Sequence, residues 1–584
     1  MINAVLSFFI LIFVLINYLY TMQKYIFILF FTFHVFSISA QFDKTEYDLA
    51  FPLNIPVELS GNFGELRSNH FHAGIDFKTQ QVIDKPVFSV ADGYVSRFGV
   101  SPTGYGHVLY ITHYNGLTSV YAHLDSFVPF LDSIVQAKQH EERSFAVDFT
   151  LPKDMIKVKR LQQVGWSGNT GSSGGPHLHF ELRDTYTEEA LNPFLFYDIE
   201  DTVRPRVHKF LLYPSSNEGV VEGSMRRRTM VLEQTKPGFY RHKGNVTIKA
   251  WGKVGLGVHS YDYMPNANNI YGVHSVRVLV DGAEIFVYQM DRFSFDKTRY
   301  MNAFIDYEEW YTNRSMVMTL FRLPNNKLDN YVKLVNDGYL LINEERIYPV
   351  QLIIKDFHGN TTTLDFSIQG VKQEIPKVEH PNAVAFSYDK ENVFENADVK
   401  LTIPAGALYQ NMLFNYSVRY NPKGFSDVHD LHLPTIPLHD YAELRIKLKN
   451  DSLSDKNKYY IARKNRLNGF DFVGNGYEDG CVVTKTRDFG QYAVLLDNEA
   501  PIIRLATVNN GHVIFKVSDN QSGVSHYNGY VDNEWALFKY DKKTNTITHK
   551  FDSKRVEKGG IHHIELRVFD KCGNEAVYQN QVWW

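Results

Sequence analysis

Apolar and polar residues alternate over most of this chain, and the length of the alternating runs changes along it. Between 41 and about 200 the runs are short. His107-Val-Leu-Tyr-Ile-Thr-His113 and Ser119-Val-Tyr-Ala-His123 place every second residue on one face, the period of strands with one side buried, so Ser119, Tyr121 and His123 are expected to share a face. Gly-rich loops separate these runs, and together they predict a small antiparallel β domain. Beyond Pro205 the runs lengthen and break at Asp-Gly and Gly-Asn turns. A repeat emerges there. Gly272-Val273 precedes Val280-Asp281 at the spacing with which Gly523-Val524 precedes Val531-Asp532, and the strand ending in Asp356-Phe-His-Gly359-Asn360 has its counterpart ending in Asp570-Lys-Cys-Gly573-Asn574. In such a turn the Asp accepts backbone amides and the Gly takes positive φ.

These textures divide the chain at 1–40, 41–200, 201–372, 373–498 and 499–584, and 584 residues agree with several units at roughly 150 residues each. The repeated strands and turns of 201–372 and 499–584 resemble bacterial immunoglobulin-like domains, the first copy carrying an insertion. Residues 373–498, with Val399-Lys-Leu-Thr-Ile403, read as a further β-rich unit. The expected class is mainly β: a small antiparallel β domain followed by several immunoglobulin-like β-sandwich domains. Those domains serve either to bind a partner or as spacers.

Two apolar stretches, Ala4 to Ile16 and Tyr25 to Phe36, stand apart from the alternation. In one reading translation starts at Met22, Lys24 is the charged region, Ile26 to Phe36 the apolar region and Ser37-Ile38-Ser39-Ala40 the cleavage site of a signal peptide. In the other the pair holds the chain in the membrane, each stretch being shorter than the ~20 residues of a spanning helix. Both export the remainder to the periplasm or cell envelope.

Lys and Arg number 61 against 65 Asp and Glu, a net charge of -4, which supplies no basic field and excludes nucleic acid as a partner. Aromatic residues reach 14%, which suits strands. Two cysteines make neither a disulfide framework nor a Cys-type zinc site, so a metal would draw on His and carboxylates.

Histidines concentrate between 70 and 180. His72-Ala-Gly-Ile-Asp76 can bring an imidazole and a carboxylate to one divalent ion, although His-x3-Asp alone arises often by chance. In Gly174-Gly175-Pro176-His177-Leu178-His179-Phe180-Glu181 the strand period directs His177 and His179 into one cleft and Leu178 and Phe180 into the core. The glycines around Ser172 and Ser173 would let a substrate chain approach the backbone closely. Tyr121-Ala122-His123 completes the set. In this order and spacing the three motifs resemble the lysostaphin-like (LytM-type) zinc endopeptidases, which hydrolyse peptidoglycan. The resemblance covers about residues 55 to 195 and implies that the small antiparallel β domain is a metallopeptidase domain.

What it implies is specific. His72, Asp76 and His179 would be the zinc ligands, with a fourth position left open. His177 would be the general base and His123 the donor to the developing oxyanion, with exchange of these tasks left open, and Tyr121 at most a helper. Glu181 orients a ligand or faces solvent. The implied activity is zinc-dependent cleavage of peptide bonds in peptidoglycan cross-links or stem peptides. The alternatives are a non-enzymatic regulator of other wall hydrolases, a zinc protease acting on an exported protein, and a β-domain scaffold with a vestigial enzyme; the intact site positions argue against the first and last. His70, His107, His113 and His140 fit no motif, and Arg67 and Asn69 read as solvated loop residues. Gly174 stands where the family commonly has Thr, and the long stretch between His123 and Gly165 suggests an inserted lobe of Gln136 to Arg143 and Leu151 to Lys157, either a gate or inert.

Overall fold

The computed structural model describes residues 47–584 apart from 266, 378–382 and 510. The signal or membrane segment expected over 1–40 lies outside the described residues, and no helix among them is long and apolar enough to cross a membrane.

The first part is a mixed-length antiparallel sheet. Its strands are β1 (Leu59–Gly61), β4 (Ile75–Lys78), β5 (Pro86–Phe88), β6 (Gly93–Val100), β7 (His107–His113), β8 (Leu117–Phe127), β9 (Val147–Thr150), β10 (Lys157–Val158), β11 (Gln163–Ser167), β12 (His177–Asp184) and β13 (Ala190–Leu191), with the two-residue β2 (Leu66–Arg67) and β3 (His70–Phe71) forming a separate ribbon. The order is β1-β4-β12-β8-β7-β6-β10. β7 and β8 are joined through Asn115-Gly116, where Gly116 takes φ +87°, as an Asn-Gly hairpin turn requires. On β12 the alternation holds: Leu178, Phe180 and Leu182 are fully buried, and Phe180 packs against Phe77 and Tyr121.

The inserted stretch forms a helix, Pro129–Glu142, and β9 and β10, which both pair with β6. Residues 206–370 build a twelve-stranded sheet held in one piece by parallel pairing of Ile248–Tyr261 with Thr361–Gly370. Its core takes in Phe63, Phe71 and Ala73 from the first part, and β13 pairs with Arg292–Phe293. Two five-stranded sheets between 392 and 496 enclose a third core, and two four-stranded sheets between 502 and 583 enclose a fourth. The repeated turns have matching geometry: the Asn360 and Asn574 amides each donate to the first Asp of the turn at 2.8 Å, with Gly359 and Gly573 at φ +86° and +76°.

Candidate metal centre

β4 and β12 run side by side with His179 opposite Asp76, and the loop before β4 carries His72. Three atoms meet there. His72 Nε2 lies 3.0 Å from Asp76 Oδ1, His179 Nδ1 lies 2.9 Å from the same oxygen, and the two nitrogens are 2.9 Å apart. All three residues are buried, at 6%, 6% and 5% exposure.

The opposite ring nitrogens decide the chemistry of this triangle. His72 Nδ1 donates to the main-chain oxygen of Asn62 at 2.7 Å, and His179 Nε2 donates to Glu181 Oε1 at 2.8 Å. Each imidazole therefore turns a lone pair toward Asp76 Oδ1, and three lone pairs converge with no donor between them. Such a pocket attracts a cation or a proton. Burial opposes charging His179, but Asp76 and Glu181 outweigh it and push its pKa up to about 9. Burial likewise opposes the charge on Asp76, yet His72 and His179 hold its carboxyl well below the usual range. The donor set, two imidazoles and one carboxylate, suits zinc.

Glu181 is fully buried and held in turn: Arg183 Nε donates to its Oε2 at 2.7 Å and Tyr105 Oη to its Oε1 at 2.5 Å. Its pKa falls to about 2, because Arg183 and His179 together overcome the desolvation that would raise it. Glu181 thus orients His179 rather than facing solvent. Arg183 continues the 177, 179, 181 face and was findable by extending the period by one step; Tyr105 left no such signal. Arg67, read as a loop residue, reaches Asp76 Oδ2 at 3.3 Å and Glu65 at 3.0 Å. A Cβ at Gly61 would come within 2.6 Å of the same Asp76 oxygen, so glycine is needed there.

His177 and His123 flank the triangle. His177 Nδ1 lies 2.8 Å from the Gly175 oxygen and 3.1 Å from Ser173 Oγ, which leaves Nε2 turned inward, 3.5 Å from Asp76 Oδ1. His123 Nδ1 lies 2.9 Å from the Thr170 oxygen, and its ring centre is 4.8 Å from that of His177. Burial lowers the pKa of both, that of His123 to about 3 with help from the neighbouring imidazoles. At neutral pH both present a basic nitrogen.

Ser119 and Tyr121 share a face as expected, but His123 does not join them. Tyr121 turns into the core, where its hydroxyl accepts from Val90 N–H at 3.0 Å and from Ser119 at 2.9 Å, so it is no helper at the site. His123 escapes because β8 carries one extra residue between the pairs Leu109 with Tyr121 and His107 with Leu124. This bulge, with His123 at φ +59°, carries the imidazole to the opposite face. Gly174 and Gly175 have open space before them, as a close-approach loop needs, whereas a Cβ at Gly168 would meet Asp125 N at 2.2 Å.

The remaining histidines stand elsewhere. His70 is exposed beside Ser68, His107 is tied to the Asp125 oxygen, His113 is buried against Ser119 Oγ at 2.7 Å, and His140 places its ring edge-on to Trp535 at 5.0 Å. The inserted helix therefore meets the last domain. Lys543 of that domain donates to the main-chain oxygens of Asn169 and Ser173, in the loop that leads to His177.

Residues 70–140 match the description of peptidase family M23, and residues 383–497, which span the paired five-stranded sheets, match that of the Zu5-like domain. Over 118 residues the chain is 33% identical to the DD-carboxypeptidase/endopeptidase Mpg of Neisseria meningitidis, covering 20% of this chain and 21% of that protein. Over 138 residues it is 30% identical to the peptidoglycan DD-endopeptidase ShyA of Vibrio cholerae, covering 23% of this chain and 26% of that one. The chain thus spans only about a fifth to a quarter of the length of these relatives. The solved catalytic domain of lysostaphin from Staphylococcus simulans aligns at 25% identity over 24% of this chain and 93% of that one, with a TM-score of 0.18.

Proposed function

From its lysostaphin-like domain of peptidase family M23, we propose that this protein is a zinc-dependent endopeptidase of the cell envelope that cleaves peptide bonds in peptidoglycan cross-links or stem peptides. The observation that carries the reading is the triangle of His72 Nε2, Asp76 Oδ1 and His179 Nδ1, with both imidazoles locked from behind and two neutral imidazoles alongside. These three residues would hold the ion. A zinc ion supplies Lewis acidity toward a scissile carbonyl and makes water more acidic.

His177 takes the proton of the attacking water. Its Nδ1 hydrogen is committed to the Gly175 oxygen, so the accepting atom is Nε2, and its lowered pKa keeps that atom free at neutral pH. The same proton then serves the leaving amine. His123 is neutral in the free site and committed at Nδ1 to the Thr170 oxygen, so it would donate to the developing oxyanion only after its Nε2 takes a proton from solvent, a proton that returns to solvent when the carbonyl reforms. Negative charge growing on the carbonyl oxygen supplies the attraction that burial withholds from His123 in the free site. The N-terminal apolar stretches would export or anchor the chain, and the later β domains would meet the wall or a protein partner.

The test incubates the chain with purified sacculi and reads the soluble fragments by mass spectrometry, with and without a chelator and beside His177→Ala. Peptide-bond cleavage that requires zinc and disappears in the variant is expected, and the fragment masses name the bond. Zinc binding without any released fragment would overturn the reading in favour of a non-enzymatic regulator or a protease with another substrate.

A further inference from the structure

The loop between β11 and β12 holds the acceptors that stand behind both flanking imidazoles: Thr170 O behind His123, and Gly175 O with Ser173 Oγ behind His177. Its middle is fastened to the turn between β6 and β7. Ser172 N–H donates to Gly104 O at 2.8 Å and Gly104 N–H to Ser172 Oγ at 2.9 Å, while Thr170 Oγ1 accepts from His107 N–H at 2.9 Å and donates to Leu124 O at 2.8 Å. The crossing is tight, since a Cβ at Gly171 would stand 2.3 Å from Gly106 N. The carbonyls on either side of this fastened stretch are held from much farther away. Lys543 Nζ donates to Asn169 O and, at 3.3 Å, to Ser173 O, across 374 and 370 residues of sequence. Ser173 is only 4% exposed, so its carbonyl needs a donor from the protein, and an ammonium gives a charge-assisted one.

Lys543 is presented on a pinned hairpin tip. It lies between the paired strands Phe538–Asp541 and Thr546–Lys550, where the Asp541 carboxylate accepts from Lys543 N–H at 3.0 Å and from Thr544 Oγ1 at 2.8 Å. Two further contacts seat the same part of the last domain on the peptidase domain. Burial and then the charge of Lys539 lower the pKa of His107 to about 4, and Trp535 meets His140 on the inserted helix. The last domain does not close over the loop. A Cβ at Gly174 or at Gly175, just before His177, would meet nothing within 4 Å, so Lys543 braces the loop without plugging the space beside it.

We propose that Lys543 is a positioning residue for the hydrolysis proposed above, an inference that rests on that reading. By joining Asn169 O to Ser173 O it bridges the two ends of the stretch that carries Thr170 O and Ser173 Oγ, and so fixes the Nδ1 side of both His123 and His177. Each ring then keeps its Nε2 in place, where one must accept a proton and the other donate one. The last domain thereby becomes part of the catalytic unit through a residue that touches no reacting atom. Loss of the bridge leaves the zinc ligands in place, because His72, Asp76 and His179 are held by Asn62, Arg67 and Glu181 instead. It lets both flanking rings turn, and a displacement of about 1 Å at such a group costs on the order of 10²-fold in rate.

The experiment compares the zinc-loaded full chain with Lys543→Met, which keeps the stem and removes the donors, and with Lys543→Arg, which restores them. Two readouts are taken: kcat and KM on a soluble cross-linked stem-peptide dimer, and the imidazole N–H signals in the magnetic resonance spectrum of histidine-labelled protein. Expected in Lys543→Met is a kcat lower by about 10- to 100-fold, with KM and zinc content unchanged. The Nδ1–H signals of His123 and His177 broaden by exchange with water, whereas the Nε2–H signal of His179 does not, and Lys543→Arg recovers both readouts. Unchanged His123 and His177 signals, a change in KM alone, or a kcat that rises, as it would if the domain were a plug, overturns the proposal. A native chain that hydrolyses nothing overturns the peptidase reading instead, and the imidazole signals then decide the positioning by themselves. Should Lys543→Met fail to fold by circular dichroism, Lys543→Ala takes its place.

Discussion

Glu181 illustrates how far a single residue acts from the metal position it never touches. It accepts the His179 Nε2 proton and balances the buried Arg183, so Glu181→Gln keeps the shape but removes the charge both depend on. Zinc affinity is expected to fall about 10- to 100-fold, read by competition with a chromogenic chelator; an unchanged affinity would mean Glu181 does not set the ligand's orientation. His177→Ala should instead keep zinc and lose on the order of 10²- to 10⁴-fold in kcat/KM. The His179 pKa makes a pH prediction for the zinc-free protein. Because it is raised from 6.5 to about 9, its contribution to stability is complete below about 6.5 and is lost as the pH rises through about 9. Melting temperatures of the zinc-free chain should decline over that window, while the zinc-loaded chain, whose metal replaces the proton, should not show this decline.

At the scale of elements, the site depends on one regular strand and one irregular one. β12 delivers His177, His179, Glu181 and Arg183 by plain alternation, which is why most of this face could be read directly. β8 delivers His123 only through its bulge, and no residue in Tyr121-Ala-His123 announces an extra residue; the pairing with β7 and β11 imposes it. The loop after β11 is packed against that bulge, since a Cβ at Gly168 would stand 2.2 Å from Asp125 N and 2.7 Å from the His123 oxygen. Gly168→Ala is therefore expected to cost about 1–3 kcal/mol in thermal or denaturant unfolding and to lower activity with zinc retained. Full activity in this variant would show that the bulge does not fix His123.

At the scale of the molecule, the domains behind the peptidase fold support it. Asn62, whose main-chain oxygen holds His72, is tied through its side chain to both the N–H and the oxygen of Gly272 at 2.8 Å, and Phe71 buries in the neighbouring core. The last domain reaches forward as well, with Lys543 on the Asn169–Ser173 loop and Trp535 on the inserted helix. Lys543→Ala should speed hydrogen exchange of the 169–173 amides without changing that of β12. Equal exchange in both proteins would make the contact incidental.

Local chemistry was enough to determine the β character and the repeated Asp-x-x-Gly-Asn turns, because strand period and turn preference act between residues close in the chain, whereas His72, Asp76, His123, His177 and His179 were singled out by the resemblance of their three motifs to the lysostaphin-like endopeptidases. The side His123 takes, the partners behind each imidazole and the roles of Arg67 and Asn62 depended on tertiary structure. Each of those rests on a pairing register or on a contact between segments tens to hundreds of residues apart, and no local period encodes which strand will lie alongside, where it will slip by one residue, or which domain will press against the loop that holds a ligand.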